Sequence, residues 1–479
     1  MRSLFYIRPL ARKLNVFQLL YVHKSYSTAT TTSTAEDSLR KVSKPLRILF
    51  CGSDEFSIAS LLAVYDEHKR NPEYIKSIDV VCRPGKPAGR SLKRIRDVPI
   101  KAFAEEKGLT VHEIDTFTGW ELPKPENESI NLIIAVSFGL FVPPRILNAV
   151  EYGGLNLHPS LLPDYRGPAP LQRMLIKDKG ICGVTLQTLD TATFDHGKIL
   201  DQKVVPYQPG LTTYQRLLNL VTPKAALMLR NNLRKRIFVP PLIEQRTAQS
   251  KTLDLTDPKK LNHASKIIPA DKRIFWQIKT ADEDIPKRFR ALGRLWTSAL
   301  ITPTTSKRLI LEDVNRVARP EALFDFHSRN QERGEDRISA EIGKTVHFFV
   351  EDQELREPIL YVEDGGAVIF RTTNKALRVE RITIEGQGVM DASKAMKSLK
   401  SGEAWTLKRR TDVGKGRTCL FEAVPKSADV KTRGGSKEKD GGRKGKETTS
   451  SDESRGGKVG DELSVQDPTA SGEANSESR

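Results

Sequence analysis

The sequence is poor in cysteine and has no long apolar run. Its four cysteines among 479 residues, Cys51, Cys82, Cys182 and Cys419, form no C-x-x-C pair. This spacing argues against a zinc knuckle and a disulfide framework, and it favours buried free thiols in a reducing compartment. No apolar stretch reaches the roughly 20 residues that a membrane-spanning helix needs. We therefore expect no metal site and no stable association with a membrane.

Acidic residues are absent from the first 35 positions. This segment carries Arg2, Arg8, Arg12, Lys13 and Lys24, its apolar residues can line one helix face, and a Ser/Thr-rich run follows. Such a composition is typical of a mitochondrial transit peptide. We predict a transit peptide over residues 1–40 and a location in the mitochondrial matrix; a disordered basic arm is the alternative.

Aromatic residues are absent from residues 426–479, where Gly, Ser, Lys and Glu dominate. A segment of this kind cannot bury enough apolar surface to offset the entropy lost on ordering, so we predict a disordered charged tail. Its basic and acidic residues cancel. The formal charge of the whole chain is +18, so the excess lies mostly in the folded part. A basic fold favours a polyanionic partner.

Apolar strands alternate with helical stretches over residues 44–238. Clear examples of strands are residues 46–51 (LRILFC), 131–137 (NLIIAVS) and 154–158 (GLNLH). Continuous apolar strands separated by helices predict an α/β fold with a Rossmann-like, doubly wound and mostly parallel sheet. Functional residues of such sheets lie beyond the carboxyl ends of the strands.

The pattern changes after residue 238. Residues 239–262 are polar and indicate a linker, whereas residues 263–425 contain shorter strands, for example 307–314 and 376–384. Short strands separated by turn signals predict a smaller antiparallel barrel. Residues 319–358 look like an insertion in it, without an assigned role.

Two polar residues stand at the end of a predicted central strand. Asn156 and His158 alternate along the strand and so share one face, and Pro159 ends it. Asp195 follows in a loop between two later strands. An amide can stabilise the oxyanion of an acyl transfer, an imidazole can move a proton near neutral pH, and a carboxylate can orient the imidazole. Taken alone, an Asn-x-His strand also fits ordinary polar caps.

Residues 156–163 (NLHPSLLP), followed by 166–170 (RGPAP), resemble the signature of the folate-dependent formyltransferases. The resemblance implies a formyl donor, 10-formyltetrahydrofolate, and a catalytic trio of Asn156, His158 and Asp195. The family usually has Asp-Thr-Gly where this chain has Asp-His-Gly at 195–197. The resemblance also implies folate contacts at Phe138, Gly139, Leu140, Phe141, Ser160, Leu161, Leu162 and Pro163.

A basic loop follows the second predicted strand. Residues 83–101 contain seven Lys or Arg residues and one Asp. Such a loop can bind a phosphate backbone. The alternative, which holds for most charge runs, is a solvated surface loop. Residues 87–90 (PAGR) resemble the loop by which methionyl-tRNA formyltransferases engage the acceptor arm of initiator Met-tRNA. The resemblance makes residues 263–425 an OB-like tRNA-binding domain. The tRNA contacts that it implies are Arg83, Lys86, Arg90, Lys93 and Arg94.

These observations predict a monomeric methionyl-tRNA formyltransferase, and three alternatives stay open. Glycinamide ribonucleotide formyltransferases and formyltetrahydrofolate hydrolases would share the trio, but neither needs the basic loop or the β-rich second part. The third alternative is a mitochondrial RNA-binding protein with an inactive site. The presence of all three residues of the trio argues against it.

Overall fold

The computed structural model describes residues 41–89, 92–246, 260–276, 280–302, 305–320, 323, 344–349, 356–399, 405–409 and 421–425. The first part of the chain contains β1 (Leu46–Gly52), α1 (Glu55–Arg70), β2 (Ile75–Cys82), β3 (Lys86–Ala88), β4 (Arg94–Arg96), α2 (Pro99–Glu106), β5 (Thr110–Glu113), β6 (Leu132–Val136), α3 (Pro144–Leu147), β7 (Gly154–His158), α4 (Pro170–Lys177), β8 (Ile181–Thr188), β9 (Ile199–Pro206) and α5 (Tyr214–Arg234). A 3₁₀ turn lies at Pro125–Asn127.

Seven of these strands form one sheet in the order β5-β2-β1-β6-β7-β8-β9. Pairing is parallel from β5 to β7 and antiparallel from β7 to β9. The predicted doubly wound, mostly parallel sheet is confirmed. Strand order reverses between β1 and β6, so the carboxyl ends of the central strands form the edge where such folds bind ligands.

Both faces of the central strands are buried. On β1, Leu46, Ile48 and Phe50 join one apolar cluster, whereas Leu49 and Cys51 join another on the opposite face. This arrangement explains why the strand sequence is continuously apolar, since a parallel sheet is covered on both sides. The neighbouring strands β6 and β7 are mostly buried as well.

Helix α1 is fixed at both ends by its own sequence. Asp54 caps its N-terminus by accepting a hydrogen bond from the backbone nitrogen of Ser57 at 3.0 Å. His68, Lys69 and Arg70 occupy its last turn, where positive charge interacts favourably with the helix dipole.

The second part of the chain contains mainly strands. In order, these are α6 (Ala281–Leu292), β10 (Leu295–Thr302), β11 (Thr305–Leu311), β12 (Val314–Val317), β13 (Lys344–Phe349), β14 (Arg356–Asp364), β15 (Ala367–Arg371), β16 (Ala376–Val379), β17 (Arg381–Ile384), β18 (Val389–Asp391), α7 (Ala392–Ser398), β19 (Trp405–Arg409) and β20 (Phe421–Pro425), after a 3₁₀ turn at Pro269–Lys272.

Nine of these strands form an antiparallel sheet in the order β12-β16-β15-β14-β13-β10-β11-β17-β18. Strands β16 and β17 lie near opposite ends of this order, yet Glu380 alone separates them in the chain. The sheet must therefore curve until its two ends meet, which confirms the predicted barrel-like architecture.

Two predicted strands of this region are wrong as single elements. Residues 307–314 divide into β11 and β12 around Glu312 and Asp313, and residues 376–384 divide into β16 and β17 around Glu380. The physical reason is the curvature, because each break is where the chain passes from one end of the sheet to the other.

The described residues up to Ala423 belong to one compact unit. The predicted boundaries at 44–238, 239–262 and 263–425 stay predictions. The predicted transit peptide (1–40), the tail (426–479), residues 247–259 of the linker and most of the 319–358 insertion lie outside the described residues. In the described part of the chain, no helix combines the length and apolarity needed to cross a bilayer.

Candidate active site

Polar side chains of β7 and β8 lie next to one another at the carboxyl end of β7. Asn156 and His158 alternate along β7, and β8 pairs with it so that Asn156 faces Gln187 and His158 faces Thr185. Alternation puts all four side chains on one face of the sheet. His158, Thr185 and Gln187 are buried, and Asn156 is half-buried.

Asp195 completes this cluster from the loop between β8 and β9. Its carboxylate accepts hydrogen bonds from Asn156 Nδ2 at 2.9 Å, from the backbone nitrogen of Gly167 at 2.9 Å and from Gln187 Nε2 at 3.3 Å. Its Oδ1 also lies 3.5 Å from His158 Nδ1. The structure therefore brings the three predicted catalytic residues together.

One hydrogen bond defines the protonation pattern of His158. Its Nε2 lies 2.9 Å from the carbonyl oxygen of Tyr165. A carbonyl oxygen can only accept, so Nε2 carries the hydrogen and Nδ1 is the nitrogen that gains or loses a proton. Nδ1 faces Asp195, so a proton taken up there meets a carboxylate.

A cavity of ≈ 330 Å³ adjoins Asp195. Its walls include the basic side chains of Arg166, Lys198 and Arg246 and the apolar residues Leu162 and Pro163. Burial lowers the pKa of the Arg166 guanidinium, the carboxylate of Asp195 opposes this shift, and the neighbouring Arg246 adds to it. Such a cavity suits a ligand with an apolar body and an anionic group.

The eight predicted folate-contact residues lie in two segments. Of these residues, Leu162 and Pro163 line the cavity. The segment that contains them is held by Thr185 Oγ1, which donates to the carbonyl oxygen of Ser160 at 2.7 Å and accepts from the backbone nitrogen of Leu162 at 3.0 Å. Leu161 is buried nearby.

The other segment follows β6. Phe138 is buried, Leu140 is half-buried, and Gly139 adopts a φ of 78°. Phe141 packs edge to face against Phe194, with 5.3 Å between ring centroids. This contact joins the segment to the loop that carries Asp195.

The predicted tRNA-contact loop forms a short hairpin, in which β3 pairs with β4 through Lys86–Arg96, Pro87–Ile95 and Ala88–Arg94. The side chains of Lys86, Lys93 and Arg94 are exposed, whereas Arg83 forms an ion pair with Asp115 at 2.9 Å. Arg90 lies outside the described residues. The hairpin therefore presents positive charge to solvent, and its tRNA contacts stay a prediction.

Several residues of the cluster were not predicted. Gln187 and Thr185 could have been found, because they alternate on β8 as Asn156 and His158 do on β7. The contributions of Tyr165 and Gly167 come from backbone atoms, which carry no side-chain signal in a sequence.

No group of three or more His, Cys, Asp or Glu side chains in the described part of the chain is arranged to hold a metal ion. The buried thiols of Cys51, Cys82 and Cys182 are free. Burial raises the pKa of Cys82 to about 11 and that of Cys182 to about 12, so both stay protonated at neutral pH.

Known proteins match this chain across the site. The family profile described as Formyl transferase matches residues 46–228. A putative methionyl-tRNA formyltransferase of Schizosaccharomyces pombe is 31% identical over 287 residues, which cover 57% of this chain and 78% of that protein. The chain belongs to the methionyl-tRNA formyltransferase family. Asn156, His158 and Asp195 all lie within the matched range.

A second methionyl-tRNA formyltransferase, the mitochondrial protein of Saccharomyces cerevisiae, is 32% identical over 287 residues, covering 53% of this chain and 69% of that protein. Among solved structures, a sugar 3N-formyltransferase crystallised with dTDP and 5-N-formyl-tetrahydrofolate is similar with a TM-score of 0.40 and 14% identity, covering 70% of this chain and 98% of that one.

Proposed function

We propose that this methionyl-tRNA formyltransferase moves the formyl group of 10-formyltetrahydrofolate onto the amino group of initiator Met-tRNA, for initiation of translation in mitochondria. The observation that carries the proposal is the junction of an amide, an imidazole and a carboxylate at a strand end beside an open cavity. Membership of the family supports the choice of substrates.

The reaction needs no enzyme nucleophile, because the formyl donor is already activated. The amino nitrogen of Met-tRNA attacks the formyl carbon, and the carbonyl oxygen becomes an oxyanion. The bond from this carbon to N10 of the folate then breaks, and its electron pair stays on N10. The proton lost by the attacking amine moves to N10, so the products are formyl-Met-tRNA and tetrahydrofolate.

Asn156 and His158 fit the two demands of this reaction. Asn156 Nδ2 has two hydrogens, of which one is donated to Asp195; the second can be donated to the oxyanion. His158 Nδ1 can accept the amine proton and return it to N10. Asp195 stabilises the protonated ring and holds the amide in place.

Two properties extend this proposal. A mitochondrial relative supports a mitochondrial location, and the acid-free N-terminal segment supports import into the matrix. We further propose that the protein acts as a monomer, with the β3–β4 hairpin and the barrel contacting tRNA through its acceptor arm.

Two single variants test the roles of His158 and Asn156. His158→Ala and Asn156→Ala should each lower kcat for Met-tRNA formylation by ~10² or more, since each removes a group that acts in the transition state. His112→Ala is a matched control, because His112 also pairs with an aspartate, Asp79, at 2.8 Å but outside the cluster. Full kcat in either trio variant would contradict the assigned roles.

The acceptor is tested with purified protein and 10-formyltetrahydrofolate. Met-tRNA, glycinamide ribonucleotide and buffer alone are supplied in separate reactions, and formyl product and tetrahydrofolate are measured. We expect turnover with Met-tRNA. Formylation of glycinamide ribonucleotide, or folate turnover in buffer alone, would overturn the proposed substrate.

A further inference from the structure

A short turn, residues 164–169, supplies two backbone atoms to the catalytic cluster. The carbonyl oxygen of Tyr165 accepts from His158 Nε2, and the backbone nitrogen of Gly167 donates to Asp195 Oδ2, both at 2.9 Å. Arg166 Nε also donates to the carbonyl oxygen of Asp195 at 2.8 Å. The orientation of the imidazole and the carboxylate therefore depends on the shape of this turn.

The turn has a backbone conformation that it would not adopt unaided. Tyr165 has a φ of 59°, in the left-handed region that non-glycine residues rarely occupy. Gly167 has a φ of 119°. Glycine adopts a positive φ freely, but for Tyr165 the conformation is strained and persists only where surrounding contacts enforce it.

The enforcing contacts come from residues 262–264, which are almost 100 positions further along the chain. The backbone nitrogen of Tyr165 donates to Asn262 O at 2.8 Å, Ala264 N donates to Arg166 O at 2.7 Å, and Ala169 N donates to Ala264 O at 3.1 Å. These bonds lie on both sides of the two backbone atoms that touch the trio. Ala264 is fully buried.

A side-chain pair fixes the register of this contact. Asp164 Oδ1 accepts from the backbone nitrogen of Asn262 at 2.7 Å and from Asn262 Nδ2 at 3.1 Å. Both residues are half-buried. Hydrogen bonds to a charged acceptor are stronger than neutral ones, so this pair strengthens the contact between the turn and residues 262–264.

We propose that residues 262–264 act as a positioning segment for the reaction, and that Asp164 and Asn262 are positioning residues. They touch neither substrate. They act through the turn, by keeping the Tyr165 carbonyl on His158 and the Gly167 N–H on Asp195. The inference rests on the proposed formyl transfer, because that reaction supplies its readout.

The test compares three variants with wild-type enzyme. Asp164→Ala removes the acceptor, whereas Asp164→Asn keeps an oxygen that can accept from the backbone of Asn262. Asp201→Ala is a matched control, since Asp201 accepts from Asn232 Nδ2 at 2.6 Å in a second Asp–Asn pair that does not contact the turn. Steady-state kinetics for both substrates, the pH dependence of kcat and Tm are measured for each variant.

We expect Asp164→Ala to lower kcat about tenfold, because a small misplacement of catalytic groups has effects of this size or larger. Both KM values should stay within about twofold, and the pH of half-maximal kcat should shift because His158 loses a fixed partner. Asp164→Asn should recover most of kcat. Asp201→Ala should lower Tm without changing kcat or the pH dependence.

Two outcomes would overturn the inference while leaving the proposed function intact. One is a wild-type kcat in Asp164→Ala. The other is a loss of kcat in Asp164→Ala without a change in pH dependence and without recovery in Asp164→Asn, which would indicate a purely structural role. A wild-type enzyme that does not formylate Met-tRNA would instead end the proposed function.

Discussion

At the residue scale, Gly167 has no room for an added methyl group. A Cβ at this position would lie 2.7 Å from the carbonyl oxygen of Ala264, and the φ of Gly167 is positive. We predict that Gly167→Ala lowers both Tm and kcat, since the backbone must move away from Asp195. Thermal unfolding and formylation assays check this.

Gly108→Ala is the control that distinguishes the effect of backbone strain from the effect of a steric clash. Gly108 also has a positive φ, of 70°, but no atom lies within 4 Å of an added Cβ. Its variant should lose about 1 kcal/mol through strain and keep full kcat. Equal losses in the two variants would contradict a special role for Gly167.

The sequence could predict some residues of the site because their pattern is local. Asn156 and His158 belong to one strand, and alternation alone places them on one face. Asp195 was predicted from its motif and lies beside them. The contact of Asp164 with Asn262 could not be predicted, because the two residues are 98 positions apart and nothing in either segment encodes the pairing.

At the scale of elements, the β3–β4 hairpin should contribute affinity for tRNA and nothing to chemistry. Lys86 and Arg94 are exposed on opposite strands. We predict that the double variant Lys86→Ala/Arg94→Ala raises KM for Met-tRNA and leaves kcat and the KM for folate unchanged. The dependence of log KM on log salt should flatten by roughly one unit per lost phosphate contact.

The control for the hairpin is Lys235→Ala, which removes an exposed positive charge at the end of α5. It should change neither KM nor its salt dependence. If this variant raised KM for Met-tRNA as much as the hairpin variant does, the effect would come from net charge and not from the hairpin.

Elements were predicted well where burial dictates them and poorly where curvature does. The strand over residues 154–158 was predicted as the structure has it, because Pro159 ends its apolar pattern. The breaks at residues 312–313 and at Glu380 were missed, since each is only one or two charged residues long and only closure of the barrel requires it.

At the scale of the whole molecule, Arg173 joins α4 to the start of the second part of the chain. Its guanidinium donates to both carboxylate oxygens of Asp271, at 2.7 and 2.8 Å, and to the carbonyl oxygens of Ser265 and Lys266. The hydrogen bonds from Arg173 hold the pKa of Asp271 below its usual range. Arg290 and Asp178 form a second ion pair between α6 and the residue that follows α4, at 2.7 Å.

The pairing of Arg173 with Asp271 predicts that the stability of the folded protein falls at acid pH. A carboxylate whose pKa is depressed on folding adds stability above its unfolded pKa, about 3.9, and that stability is lost as pH falls through the folded value. Arg173→Gln should therefore lower Tm at pH 7, and the gap from wild type should narrow below about pH 4. Thermal unfolding from pH 7 to pH 3 measures this gap.

Lys76→Gln is the corresponding control, because its partner Glu73 is exposed and ion pairs at the surface contribute little. Its Tm should equal that of wild type at every pH. A gap for Arg173→Gln that stays constant down to pH 3 would show that Asp271 does not titrate against Arg173.

Residues 262–264 pack against the turn beside His158, and this contact does not depend on an intact peptide chain between the two parts of the molecule. Backbone bonds there, a buried alanine and two ion pairs further on hold the parts of the molecule before residue 246 and after residue 260 together non-covalently. A peptide bond hydrolysed between these positions would thus leave a nicked enzyme whose halves stay associated, and two separately produced halves could complement each other.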